Sequence, residues 1–297
     1  MTDLTHLFIS GSHLWGVYNF GIMRYIQAYP KYFNKIKDFG GVSFGSLSAL
    51  FIILNIDIEK IEKAFYKMVE NEEIKLITYD KLLNLFHDKG IQDVSYFFDA
   101  LFESFEDYIK QLTFLDISKQ YGKNLHILAL NVHTGNITLF NTDNTPNVNV
   151  LKAIKASSSV PIVSTPVEID GYLYCDGCVT DNTILQFFSD IPNNQILSII
   201  HKFNSTVKVY EKGYNLTNTE YYMNLMKIYY RKQNYISTSS NIKDNTLVIS
   251  NHDSLISIIT NEDGFYCNIT SKSIDTALLH GFKLMVDWMK KHYKEEE

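Results

Sequence analysis

Apolar and polar residues alternate along this chain in short blocks whose period switches repeatedly between that of a strand and that of a helix. Leu4 to Ser10 is an apolar run of strand length. Gly11-Ser12-His13-Leu14-Trp15-Gly16 interrupts it, and Val17, Phe20, Gly21, Met23 and Ile26 then recur at helical spacing as far as Pro30. A second apolar approach, Phe39-Gly40-Gly41-Val42, turns through Ser43-Phe44-Gly45 into a helical stripe of Leu47, Leu50, Phe51 and Leu54. Ile58 to Val69 sets Ile61, Phe65 and Met68 on one face and Glu59, Lys60, Glu62, Lys63 and Lys67 in solvent. Tyr79 to Phe86, Val94 to Phe105 and Leu115 to Tyr121 read the same way, so the middle of the chain is expected to be a helical cover.

Strand signals return with Leu125 to Val132, which His133-Thr134-Gly135-Asn136 turns into Ile137 to Phe140 as a hairpin. Asn149 to Ser157 reads as a short helix broken at Ser157-Ser158-Ser159-Val160-Pro161. Pro166 to Ile169, the turn Asp170-Gly171 and Tyr172 to Cys175 form a second hairpin, which delivers Asp176 at a strand end ahead of Gly177. Asp181 to Phe188 looks helical, Gln195 to His201 is a buried strand, Thr219 to Lys232 a helix and Thr246 to Ser250 the last strand. Ser273 to His292 is the final helix, with Ile274, Leu278, Phe282, Met285 and Met289 inward. No linker, repeat or low-complexity tract divides residues 1–297, so one α/β domain is expected.

Composition narrows the classes. An apolar content of 45% supplies a sizeable core, and a formal charge of −6 argues against a general nucleic-acid binder, whose footprint is a basic face. The first residues lack a basic stretch ahead of an apolar one. The longest apolar run, Leu47 to Ile56, is too short to span a bilayer, so a cytoplasmic protein is expected. Cys175-Asp176-Gly177-Cys178 is nominally C-x-x-C, but only Cys267 remains elsewhere, and two small residues flanking a turn explain the spacing without a metal.

Gly41-Val42-Ser43-Phe44-Gly45 carries the candidate chemistry. In a G-x-S-x-G turn between a buried strand and a helix, the serine takes a strained conformation that pushes its hydroxyl out at the helix start. Gly41 and Gly45 let neighbouring backbone pass close by. The helix start and the Phe44 N–H favour a developing oxyanion, so Ser43 reads as a nucleophile.

Three ordered segments extend this reading. Leu7-Phe8-Ile9-Ser10-Gly11-Ser12-His13-Leu14-Trp15-Gly16 precedes Gly21-Ile22-Met23. The serine turn is second. Ala153-Ile154-Lys155-Ala156-Ser157-Ser158-Ser159-Val160-Pro161, Pro166-Val167, Asp176-Gly177 and Asn182 form the third. Together, from Leu4 to Asn182, they resemble the patatin-like phospholipase family, and Gly122-Lys123-Asn124-Leu125 to Gly135 is similar to its central strand pair. The resemblance implies a three-layer α/β fold, a central mostly parallel sheet flanked by helices. It also implies a Ser-Asp dyad with Ser43 as nucleophile and Asp176 as general base. Backbone N–H groups of Gly11, Ser12, His13 and Phe44 would form the oxyanion hole, with Gly16 and Gly177 as further motif positions. It implies hydrolysis of acyl esters in phospholipids or related lipids, transient peripheral membrane contact, and no cofactor or metal, calcium included. The aromatic run Tyr96, Phe97, Phe98, Phe102, Phe105 and Phe114 then suits an acyl-chain groove or plain core packing.

The chain departs from that family where Gly11-Ser12-His13-Leu14-Trp15-Gly16 loses two glycines and a basic residue. A non-glycine there still offers its N–H on condition that its φ is negative. Two other readings stay open: a Ser-His-Asp esterase using His201, His252, His280 or His292, and a lipid-binding protein impaired in catalysis.

Overall fold

The computed structural model describes residues 4–70, 76–78, 84–203, 211–215, 221, 228, 245–251, 257–260 and 264–293. The chain enters its main sheet with β1 (His6–Ile9) and β2 (Asp38–Val42), and leaves it for two short strands, β3 (Leu76–Thr78) and β4 (Gly90–Gln92). It returns with β5 (Asn124–Asn131) and β6 (Ile137–Phe140). Then follow β7 (Ile162–Ser164), β8 (Val167–Ile169), β9 (Tyr172–Asp176), β10 (Ile196–Phe203), β11 (Thr246–Asn251), β12 (Ser257–Thr260) and β13 (Gly264–Asn268). Eight of the strands form one sheet in the order β11-β10-β1-β2-β5-β9-β8, with β6 also on β5. From β11 to β5 every pairing is parallel; β6, β9 and β8 join antiparallel.

The parallel strands are buried on both faces, which is why β1 and β5 read as nearly unbroken apolar runs. Leu7, Ile9, Leu125, Ile127 and Ala129 face the larger core with helices α1 (Val17–Ala28), α2 (Phe44–Ile53) and α3 (Ile58–Glu70). Phe8, Val42 and Leu128 face a thinner layer with Cys178 and Ile184, edged by Leu185 and Phe188. Every residue of α2 from Phe44 to Phe51 is buried, so the helix is enclosed all round and not only along the expected apolar stripe, with Ser46 and Ser48 hydrogen-bonded inside. Where α1 crosses the C-terminal helix Ser271–His292, the Cα of Gly21 lies against the Leu278 carbonyl and that of Gly281 against the Tyr18 carbonyl, contacts a Cβ on either would obstruct.

Several expectations are corrected. Asp181 to Phe188 is not one helix. Asp181 accepts from the Thr183 N–H, Asn182 is tied to Gly11, and only Leu185–Phe188 winds as a 3-10 turn. Thr246 to Ser250 is not the last strand, since β12 and β13 follow. Strands β3, β4 and β7, three residues each, are too short to leave a periodic signal. Of Tyr79 to Phe86, residues 79–83 lie outside the described residues, and Asn84–Asp88 is helical. Thr219 to Lys232 lies outside them apart from residues 221 and 228. No helix among the described residues is long and apolar enough to cross a membrane.

At the opposite end of the strands from Ser43, the first rungs carry charge. Asp38 lies opposite His6 and Asn124. Its carboxylate is 3.6 Å from His6 Nε2 and accepts from His126 Nε2 at 3.1 Å and Asn124 Nδ2 at 3.0 Å. Burial lowers the His6 pKa, partly offset by Asp38. Burial tends to raise Asp38, but hydrogen bonds from His126 and Asn124, with both imidazole charges, hold its carboxyl below the usual range. Both groups therefore bind fewer protons folded than unfolded, and their stabilisation is lost as pH falls, for His6 below its unfolded value of 6.5. Melting temperature followed by circular dichroism from pH 7 to pH 4 is expected to decline, and to decline less below about pH 6.5 in a His6→Asn variant.

Candidate active site

β5 brings the candidate residues together. Val42, the last residue of β2, lies opposite Leu128, and Asp176, the last residue of β9, lies opposite Ala129. Because β2 runs parallel to β5 and β9 antiparallel, the two strands run toward each other and end on consecutive rungs. Ser43 leaves β2 at φ 53° and ψ −128°, a strained position for a non-glycine residue, and caps α2. The Cα atoms of Gly41 and Gly45 both press on the Ile9 carbonyl, where a Cβ would collide. Gly16 lies under the Phe44 ring and Gly177 against the Leu128 carbonyl.

Three serines fix the elbow. The Ser43 N–H donates to Ser157 Oγ at 2.8 Å, and Ser157 Oγ donates to the Leu128 carbonyl at 2.6 Å. Ser46 donates to the Ser43 carbonyl from Oγ at 2.6 Å and from its N–H at 2.9 Å. That carbonyl shares a peptide with the Phe44 N–H, so hydrogen bonds to its oxygen polarise the N–H at the other end. Phe44 opens α2, where an N–H has no partner within its own helix. The Asp176 N–H donates to the Ser159 carbonyl at 2.9 Å, which locks the third motif onto the end of β9. A run of three serines gives no clue to which of them turns inward; the polar contacts of Ser157 are visible only in the folded chain.

Asp176 is fully buried and Ser43 is 5% exposed. Burial raises the Asp176 pKa; the Cys178 N–H, donating to Oδ1 at 2.9 Å, the His13 charge and the Ser43 hydroxyl oppose it. The Ser43 hydroxyl is thus near enough to weigh on the carboxyl, while Oδ2 makes no hydrogen bond of good geometry. Burial lowers the His13 pKa, with Asp176 pulling it back up. The flanking thiols stay protonated: burial and Asp176 push Cys175 up to about 11 and raise Cys178 as well. Both are free, and no group of three His, Cys, Asp or Glu among the described residues could hold a metal ion.

The Gly11 to Gly16 loop lies beside Ser43. Gly11 donates its N–H to the Asn182 carbonyl at 3.3 Å and accepts from Asn182 Nδ2 at 3.0 Å, so its N–H is already engaged. Ser12 Oγ is buried without a hydrogen-bond partner. His13 adopts φ 48°, so the condition of a negative φ is not met at this residue. The chain needs this left-handed step to enter the 3-10 turn His13–Gly16, and histidine tolerates it better than a branched residue. Of the later histidines, His201 Nε2 donates to Asn19 Oδ1 at 2.8 Å, His280 lies edge-on to Tyr18, and His292 Nδ1 bonds the Trp288 carbonyl; His252 lies outside the described residues. Phe98, Phe102, Phe105 and Phe114 are buried as core, Phe97 is half-buried and Tyr96 exposed.

Residues 7–188 match the family described as patatin-like phospholipase. An uncharacterized protein of Acanthamoeba polyphaga mimivirus is 28% identical over 193 residues, 64% of this chain and 63% of that protein. A probable lipid hydrolase of Invertebrate iridescent virus 6 is 26% identical over 182 residues, 59% of this chain and 60% of that protein. The matches thus span less than two thirds of either relative. VipD from Legionella pneumophila has a similar fold, with a TM-score of 0.57 at 13% identity, covering 98% of this chain and 67% of that one.

Ser157→Ala removes the acceptor of the Ser43 N–H and the donor to the Leu128 carbonyl, leaving both buried and unpaired. Urea unfolding is expected to register a loss of about 1–3 kcal/mol.

Proposed function

The chain belongs to the patatin-like phospholipase family, and from that membership we propose that it hydrolyses acyl ester bonds of phospholipids or related acyl lipids through Ser43 and Asp176. The family and the probable lipid hydrolase relative support lipid hydrolysis. The observation that carries the residue assignment is the meeting of β2 and β9 on consecutive rungs of β5, with Ser43 and Asp176 at their ends.

In this reading Ser43 Oγ attacks the acyl carbonyl while its proton passes to the Asp176 carboxylate. The ester C–O bond then breaks, and the proton moves from Asp176 to the departing alcohol oxygen. Water repeats the sequence on the acyl-serine: Asp176 takes its proton, the acid departs, and Ser43 recovers the proton. Burial makes the Asp176 carboxylate a stronger base than an exposed one, which suits direct deprotonation of a hydroxyl. The Phe44 N–H, polarised through the Ser43 carbonyl, serves the oxyanion together with the N–H of Ser12, whose φ is negative. The Gly11 N–H, held by Asn182, keeps the loop in place instead.

A cavity of about 270 Å³ beside the helices Ser95–Phe102 and Val150–Ser157 is lined by Phe98, Phe102 and Leu151 but also by Asp99, Lys110, Asn149, Lys152 and Lys155, a mixed lining that does not mark it as an acyl-chain groove. Phe97 packs between Phe98 and Phe44 as part of the aromatic core, with ring centroids 5.3 Å from Phe98 and 6.5 Å from Phe44. The substrate arrives from a bilayer or micelle, so contact with membranes is peripheral and transient. The mechanism calls on no calcium.

Mass spectrometry after treatment with a fluorophosphonate is expected to find the adduct on Ser43, and an adduct elsewhere would falsify the assignment. Asp176→Asn should lower kcat for fatty-acid release from mixed liposomes by about 10²–10⁴-fold, with EDTA leaving the wild-type rate unchanged. Because Asp176 must be ionised to act, kcat/KM should rise with pH through its raised pKa and then level off, an acid limb lying above the ordinary 3.8.

A further inference from the structure

We infer that His201, outside the family-matched residues, is a positioning residue that aligns the elbow and the Gly11 loop for this reaction. The inference rests on the Ser43 reading above. His201 is fully buried on β10, beside β1, and its backbone N–H donates to Ser10 Oγ at 2.8 Å. Ser10 is the residue from which the loop departs. Through its ring, His201 also reaches the other half of the site. Nε2 donates to Asn19 Oδ1 at 2.8 Å, Asn19 Nδ2 donates to Ser48 Oγ at 3.1 Å, and Ser48 Oγ donates to the Phe44 carbonyl at 3.0 Å. All four side chains are buried.

The direction of this chain of bonds matters. Ser48 has one hydroxyl proton, and it is available to the Phe44 carbonyl only if Ser48 accepts from Asn19. Asn19 is held with its NH₂ toward Ser48 because its oxygen accepts from His201, which makes this amide orientation the favoured one. If residue 201 could only accept, the amide would turn over and Ser48 would spend its proton on Asn19. The first turn of α2, which presents both Ser43 and the Phe44 N–H, would then lose a fixed point. Tyr18 packs edge-on to the ring and is itself backed edge-on by His280, which limits the room the imidazole has to reorient.

The test uses the full chain, with a soluble short-chain ester for kcat and KM and the rate of fluorophosphonate labelling of Ser43 as a second readout. His201→Leu is expected to lower kcat and labelling together by about 10- to 100-fold with KM within about twofold, since misplacement of reacting groups acts on the chemical step. His201→Gln, whose amide can still donate, should recover most of the rate. Ser48→Ala should reproduce the loss, and the double variant should lose no more than the larger single, as members of one chain of bonds do. As a comparison, His126→Leu at the far end of the sheet should lower the melting temperature while leaving kcat unchanged. Folded His201→Leu protein that labels at the wild-type rate, or additive losses in the double variant, overturns the inference. An unfolded His201→Leu leaves Ser48→Ala and His201→Gln to decide it by the same rates. Absence of any Ser43 adduct in the wild type would instead remove the hydrolase reading itself.

Discussion

Everything in the candidate site is measured off one strand. β5 takes the end of β2 at Leu128 and the end of β9 at Ala129, so the spacing of its backbone hydrogen-bonding groups sets the spacing of the serine and the carboxylate. The Leu128 carbonyl also accepts from Ser157, which in turn holds the Ser43 N–H, and it lies against Gly177. A slip of one residue in either strand would turn every side chain to the other face and carry Asp176 out of reach. The parallel sheet resists such a slip because both its faces are buried.

Around that strand the fold holds two unfavourable states in place. Ser43 keeps a backbone conformation that costs on the order of 1–3 kcal/mol, and Asp176 keeps a carboxylate out of water. The first persists because Ser157 and Ser46 occupy the polar groups of the turn on both sides and the flanking glycines leave no room for another path. The second is moderated by the Cys178 N–H and by His13, yet burial still dominates. A carboxyl group held this way has its pKa raised, so it binds a proton more readily than an exposed one.

Much of this arrangement was legible in the sequence, and the reason is periodicity. The strand before Gly11, the helix from Val17, the serine turn and the hairpin that ends at Asp176 all carry strong apolar periods bounded by glycine or proline, and each stands within a few residues of its expected place. What escaped the sequence lacks a period. Asn182 holds its segment irregular by bonding Gly11 from 171 positions away. β4 and β7 are only three residues long. His201 drew notice as a candidate catalytic base because histidine invites that thought. One of its partners, Asn19, is 182 positions distant and carries no mark in the sequence. The long-range polar contacts that tune a site are the part that local patterns cannot encode.

Those long spans also govern when the site can exist. Ser43 finds its backbone partner 114 positions onward, and Ser10 finds His201 across 191. During synthesis the elbow therefore leaves the ribosome first and waits. A nascent or prematurely terminated chain ending before β9 carries the serine without the carboxylate, and one ending before β10 lacks the strand against which β1 must lie. Order of translation thus acts as a timer: Ser43 and Asp176 cannot meet on β5 until β9 has been made, nor β1 gain its second neighbour until β10 has.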